Sequence, residues 1–172
     1  SKTREDISSM FNTTINWNKT LQYFCGTKQK AKKSRTFRRI NRKYPYIHPG
    51  TKVRRTSSLA IYIDQSGSVG DDGIAMFFSA LAGLAKNVSF KVFHFDTAVD
   101  KNSEYSWRKG QKYRTPMRTL TGGTSFNCVE DHFRTRSSEF DGCIVMTDGC
   151  APKPKTCISK RCWVLLPGYK LV

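Results

Sequence analysis

The sequence predicts an α/β domain on a mainly parallel sheet that helices cover on both faces, with a basic N-terminal appendage. Three observations lead there. Strand-like apolar runs at 58–64, 89–96, 142–148 and 161–166 alternate with helical periodicity at about 72–86 and 126–136. Parallel strands need such crossovers, and strands buried on both faces read as unbroken apolar runs. The positive charge is also lopsided. Residues 1–57 hold 15 Lys+Arg and 2 Asp+Glu, whereas residues 58–172 hold 15 and 11. The chain therefore divides into a basic helix and arm, 1–57, and a domain, 58–172.

Residues 5–25 read as helix in two pieces, with Trp17, Leu21 and Phe24 on one face and Gly26 as the stop. Lys28 to Arg55 places 12 basic residues in 28, with Phe37, Tyr44 and Tyr46 among them. The pairs Tyr44-Pro45 and His48-Pro49 disfavour a long helix, so the arm is expected to be extended in part. Strand one follows at 58–64. The next helix is capped by Asp71 or Asp72, and Ile74, Phe77, Phe78, Leu81, Leu84 and Ala85 line its inner face. Strand two is 89–96, with His94 expected as a packed core residue and Asp96 as the cap of the following loop. Residues 97–118 are polar, with room for a short strand or hairpin. Gly122-Gly123-Thr124-Ser125 leads into the helix at about 126–136.

Some classes are set aside. The longest apolar stretch, Ile74 to Ala85, is short of the roughly 18 residues of a membrane helix and contains Ser79 and Gly83. The segment Ser1 to Asp6 has no signal-peptide pattern. Cysteines at 25, 128, 143, 150, 157 and 162 are too sparse for a disulfide framework, and no Cys-x-x-Cys pair supports zinc. Cys143 reads as a small core residue. A reducing cytoplasm and no membrane contact are the expectation.

The chemistry gathers at the strand ends. Asp64-Gln65-Ser66-Gly67-Ser68 follows strand one at once. A carboxylate and two hydroxyls at i, i+2 and i+4 on a glycine-containing turn can converge on one point. Asp148 ends another apolar strand, and ligands of open parallel sheets bind beyond such ends. The Gly-Gly-Thr turn reaches the same rim. Asp64, Ser66, Ser68, Thr124 and Asp148 thus form an all-oxygen set suited to Mg²⁺ or Mn²⁺. Neutral hydroxyls leave most of the ion's charge uncompensated, so the ion stays attractive to a partner's Asp or Glu.

Asp64-x-Ser66-x-Ser68, Thr124 in Gly-Gly-Thr and Asp148 in Thr-Asp-Gly resemble the metal-ion-dependent adhesion site of von Willebrand factor A domains. More narrowly, residues 17–172 are similar to intracellular bacterial A-type domains that follow a metallopeptidase-like N-terminal region. The match there is Trp17, the basic run and Pro49-Gly50. The resemblance implies a Rossmann-like fold, a bound divalent cation and binding of a protein partner, with a MoxR-type AAA+ ATPase as one candidate. No His-Glu-x-x-His motif is present, so no peptidase activity is implied.

Three functions remain open at this point. The first is a metal-dependent adaptor, not an enzyme. The second is an Mg/Mn-dependent nuclease or phosphoesterase using Asp64, Asp96 and Asp148. Against it, hydroxyls crowd the loops and no Asp-x-Asp follows strand one. The third is a nucleic-acid-binding protein acting through the arm. Lys28, Lys30, Lys32, Lys33, Arg35, Arg38, Arg39, Arg42 and Lys43 would contact phosphate there, or an acidic partner. A solvated tail is the plain alternative for the same residues.

Overall fold

The computed structural model describes residues 17–27, 30–56, 58–111, 117–156 and 160–171. The elements in chain order are α1 (Trp17–Thr27), β1 (Lys30–Ile40), β2 (Pro49–Thr56), β3 (Leu59–Asp64), α2 (Asp71–Ala85), β4 (Phe90–Phe95), β5 (Val99–Trp107), α3 (Phe126–Thr135), β6 (Gly142–Thr147) and β7 (Arg161–Leu165). The chain is α/β, with a five-stranded sheet ordered β5-β4-β3-β6-β7 and a separate two-stranded sheet, β1-β2. Within the larger sheet β3, β4, β6 and β7 run parallel, and β5 pairs antiparallel with β4.

The central strands are apolar because neither face meets water. Every residue of β3 and of β6 is buried. Alternation divides their side chains between two clusters. Leu59, Ile61 and Ile63 pack with Ile74, Phe77, Phe78 and Leu81 of α2. Ala60 and Tyr62 pack with Phe126, Val129 and Phe133 of α3. Leu21 and Cys25 of α1, although N-terminal to residue 58, are buried in the first cluster. Phe24 lies over Gly142, where an added Cβ would sit 3.3 Å from its ring. The helix runs one residue beyond the expected stop, to Thr27, with Gly26 inside it. The part of the predicted helix before residue 17 lies outside the described residues.

One local expectation changes and another is made specific. Neither Asp71 nor Asp72 caps α2. Gly70 occupies the cap position, no side-chain cap bond forms, and both aspartates fall in the first turn, where the helix dipole favours them. The polar stretch after β4 resolves into β5. It is an edge strand with one face in water, so its sequence carries no continuous apolar run. Its buried anchor is Trp107, which packs against Phe78 and Phe90.

The arm is a hairpin. Pairing runs from Lys30↔Thr56 to Thr36↔Gly50, then slips across a bulge to Ile40↔Pro49. Gly50 permits the slip, since a Cβ there would overlap the Arg39 carbonyl oxygen. Asn41 organises the connection. Its Oδ1 accepts from the Lys43 and Tyr44 amides at 2.9 and 3.1 Å, and its Nδ2 donates to the Pro49 carbonyl at 3.2 Å. Pro45 lies within this connection and Pro49 at the start of β2, positions that exclude helix yet leave β1 uninterrupted.

A charged cluster ties β4 and β5 to the turn after α3. Glu104 accepts from Lys91 Nζ at 2.7 Å and from Arg136 at 2.8 and 3.1 Å, and Arg136 also holds Glu139. The Arg136 and Lys91 hydrogen bonds hold the Glu104 carboxyl down from its ordinary 4.5 to about 2. Its contribution to stability is thus complete above about pH 4.5 and is lost as pH falls toward 2. The gap in urea midpoint between wild type and Glu104→Gln is expected to be open near neutrality and to close progressively below that upper limit. It is also expected to narrow in high salt. A gap that persists unchanged in acid would show that Glu104 acts through packing instead.

Candidate metal centre

Asp64 is the last residue of β3 and is fully buried. Its Oδ1 accepts from the Ser66 amide at 3.0 Å, and its Oδ2 accepts from Thr147 Oγ1 at 2.5 Å. Burial pushes this carboxyl above its ordinary value of 3.8, and nearby Asp148 adds to the rise, while the bonds from Thr147 and Ser66 oppose it. The turn then carries Ser66 and Ser68 side by side, their hydroxyl oxygens 3.1 Å apart.

Asp148 follows β6 and is equally buried. Parallel pairing of β3 with β6, in register from Leu59↔Gly142 to Ile63↔Met146, brings the two strand ends together. Asp148 Oδ1 accepts from the Cys150 amide at 3.0 Å and lies 3.5 Å from Thr147 Oγ1. Thr147 Oγ1 in turn accepts from the Gly149 amide at 3.1 Å. Gly149 has φ +80, and a Cβ there would stand 2.8 Å from the Lys170 carbonyl oxygen, so the turn needs glycine. The second oxygen, Asp148 Oδ2, is buried and has no hydrogen-bond partner among the described residues.

The 117–125 segment is fastened along the same rim. The Gly67 amide donates to the Gly122 carbonyl at 3.1 Å, and the Ser125 amide donates to the Asp96 carbonyl at 2.9 Å. The Thr119 amide donates to Gln65 Oε1 at 3.1 Å. Arg118 reaches over the turn. Its guanidinium donates to the carbonyls of Gln65 at 3.4 Å, Ser66 at 3.3 Å and Val69, and to Asp71 Oδ1 at 3.0 Å. One side chain thereby fixes the backbone that presents Ser66 and Ser68.

Hydrogen bonds, directly or through Thr147, connect Asp64, Ser66, Ser68 and Asp148. Thr124 stands on the adjoining segment, half-buried and without a hydrogen bond to any of them. Asp96 turns its Oδ1 to the amide of Ala98 at 3.1 Å, the capping role expected of it. His94 is buried, with Nδ1 2.9 Å from Thr119 Oγ1. No group of three or more His, Cys, Asp and Glu side chains placed to hold a metal occurs among the described residues. A three-carboxylate centre of Asp64, Asp96 and Asp148 is therefore not formed. What is present is two carboxylates with hydroxyls.

Sequence patterning does not single out Thr147, Gln65 or Arg118. Thr147 and Gln65 each adjoin a predicted ligand, which is the available signal. Arg118 lies in a polar stretch with no pattern to mark it. Of the nine basic residues predicted to bind phosphate or acid, Lys33, Arg35, Arg38 and Arg39 are exposed on β1, and Arg42 and Lys43 are exposed in the connection. Lys30 and Lys32 belong to β1 by backbone. Lys28 lies outside the described residues. Among the described residues no helix is long and apolar enough to cross a membrane.

No protein-family model matches the chain. It is similar to an uncharacterized protein of Thermotoga maritima, 25% identical over 151 residues, which covers 88% of this chain and 37% of that protein. The chain thus spans little more than a third of the curated relative it matches. Among solved structures, one likeness is to the three N-terminal domains of the type V pili tip protein Mfa5 from Porphyromonas gingivalis. The TM-score is 0.38 at 14% identity, over 76% of this chain and 28% of that one.

Asp64→Asn keeps the side-chain shape and removes a buried charge. In chelator it is expected to raise the melting temperature by about 3 °C, the shift that ~1 kcal/mol produces at this chain length. Wild type without divalent cation should lose stability as pH rises through the elevated Asp64 pKa, because the unfolded carboxyl ionises earlier than the folded one. Mg²⁺ should stabilise wild type and leave the Asn variant unmoved, as read by thermal unfolding with and without the ion. Arg118→Met should weaken Mg²⁺ binding about 10- to 100-fold in calorimetric titration, with an unchanged circular dichroism spectrum.

Proposed function

We infer that the chain is a divalent-metal-dependent protein-binding module of the von Willebrand factor A type, with a Rossmann-like domain whose helices flank both sheet faces. The observation that carries this reading is Asp148 Oδ2, a buried carboxylate oxygen with no partner among the described residues, beside the buried Asp64 and the paired Ser66 and Ser68 hydroxyls. An oxygen in that position costs free energy unless something positive meets it. The donor set is all oxygen, which suits Mg²⁺ or Mn²⁺ and not a softer metal.

In this reading Ser66, Ser68 and Thr124 are direct ligands from the loops, and Asp64 and Asp148 complete or orient the set from the strand ends. Thr147 holds Asp64 in place, and Arg118 holds the serine turn. The bound ion supplies a positive centre that an incoming Asp or Glu of a protein partner can reach. The chain's own residues only position it. The module then acts as an adaptor in a cytoplasmic assembly, and a MoxR-type AAA+ ATPase is one partner that fits.

Asp64→Ala is expected to abolish Mg²⁺-dependent capture of protein by the immobilised chain while its circular dichroism spectrum stays native. Capture from extract, compared in Mg²⁺ and in chelator and read by mass spectrometry, is the measurement. An identical set of proteins retained in chelator would overturn the reading.

A further inference from the structure

The β1–β2 ribbon plays no part in the metal reading, and its charge is unlike that of the rest of the chain. Residues 30–56 carry 11 Lys+Arg and no Asp or Glu. In the α/β domain Lys91, Arg118, Arg134, Arg136 and Arg161 each lie against a carboxylate. On the ribbon none of Lys33, Arg35, Arg38, Arg39, Arg42 and Lys43 forms an ion pair among the described residues. Like charges crowded on so narrow a support repel one another, and a linear polyanion relieves that repulsion along its whole length.

Rings stand among these cations. Phe37 is 79% exposed between Arg35 and Arg38, and Tyr46 is 87% exposed at the tip. Tyr46 has φ 67 and is the only non-glycine residue with positive φ among the described residues. That conformation is strained for a bulky side chain, and here no packing against the domain compensates for it. Beside the bulge, Arg38, Arg39 and Arg42 line an open recess of about 690 Å³ with Ile40, Asn41 and Gly50.

We propose that the ribbon grips single-stranded nucleic acid, with phosphates on Arg35, Arg38, Arg39 and Arg42 and bases stacked on Phe37 and Tyr46. Guanidinium groups match phosphate oxygens two at a time. Exposed rings offer faces to unpaired bases, which is how single strands are held without sequence preference. An anionic membrane shares the phosphate chemistry. An interfacial anchor would also use the exposed Ile40 and Ile47, whereas rings interleaved with Arg35, Arg38, Arg39 and Arg42 suit a strand of linked phosphates and bases. The ribbon's grip does not depend on the metal centre.

Fluorescence anisotropy of labelled oligo-dT and oligo-U against the full chain, in chelator, tests it. Both should bind, with log affinity falling linearly with log salt. The combined Arg38→Gln, Arg39→Gln and Arg42→Gln variant should lower that slope by about 2, from ~0.7 per phosphate contact on a single strand. Phe37→Ala and Tyr46→Gly should each weaken binding about tenfold. Tyr46→Gly also relieves the positive φ, so its thermal stability should hold while affinity falls; a fall in stability with unchanged affinity would give Tyr46 a structural role and overturn the stacking. Failure of both oligonucleotides to bind at low salt, tighter binding of a duplex, or capture by phosphatidylserine vesicles without oligonucleotide binding would each overturn the proposal.

Discussion

Two carboxylates stand inside this protein at the ends of neighbouring parallel strands, where water cannot screen them. Asp64 and Asp148 are both fully buried, and the charge of Asp148 raises the cost of ionising Asp64. The surrounding structure reads as a response to that constraint. Thr147, beside Asp64 across the β3–β6 pairing, donates to Asp64, and the amides of Ser66 and Cys150 donate to the two carboxylates. Those donors satisfy three carboxylate oxygens and leave Asp148 Oδ2 without one among the described residues. That deficit, at a rim where Gln65 Nε2 is also buried without a partner among the described residues, is what supports the proposed cation.

The same rule, that buried or crowded charge needs a partner, separates the two parts of the chain. In the α/β domain it is met locally at several places, though among the described residues not at Asp148 Oδ2 or Glu130 Oε2. Arg136 serves Glu104 and Glu139 together while lying over the rings of Phe93 and Phe140, and Arg161 meets the buried Glu130. Arg118 is used differently, directing its donors to backbone carbonyls so that the serine turn keeps one shape. On the ribbon the rule is left unmet, and the lack of acidic residues between 30 and 56 means that no rearrangement of its own side chains could meet it.

The parts legible in the sequence were those with a strong period or a fixed spacing. The unbroken apolar runs of β3 and β6 announced strands buried on both faces, and the order of Asp64, Ser66, Ser68, Thr124 and Asp148 placed five oxygen-bearing side chains at one rim. Hydrogen bonds and the pairing of β3 with β6 assemble four of these. Thr124 is brought to the rim by the Gly67–Gly122 bond without joining the others. The ribbon was less legible, because β1 has no apolar alternation and only cross-strand pairing defines it. Edge strand β5 was legible only as room for a short strand or hairpin, since its solvent face is polar and Trp107 is its one fully buried residue. Arg118 could not be read at all. Its role depends on carbonyls roughly fifty positions earlier in the chain.

Geometry along β3 sets the root of the ribbon and the two carboxylates at opposite ends of one strand. β2 ends at Thr56 and β3 begins at Leu59, so the ribbon joins the domain at the N-terminal end of the central strand. That end is pinned by a reciprocal pair, the Ser58 amide to Asp141 Oδ2 at 3.0 Å and the Asp141 amide to the Ser58 carbonyl at 2.7 Å. The carboxylates lie at the other end of the same strand, about 20 Å away at ~3.3 Å per residue. A buried strand therefore separates the base of the ribbon from the carboxylates.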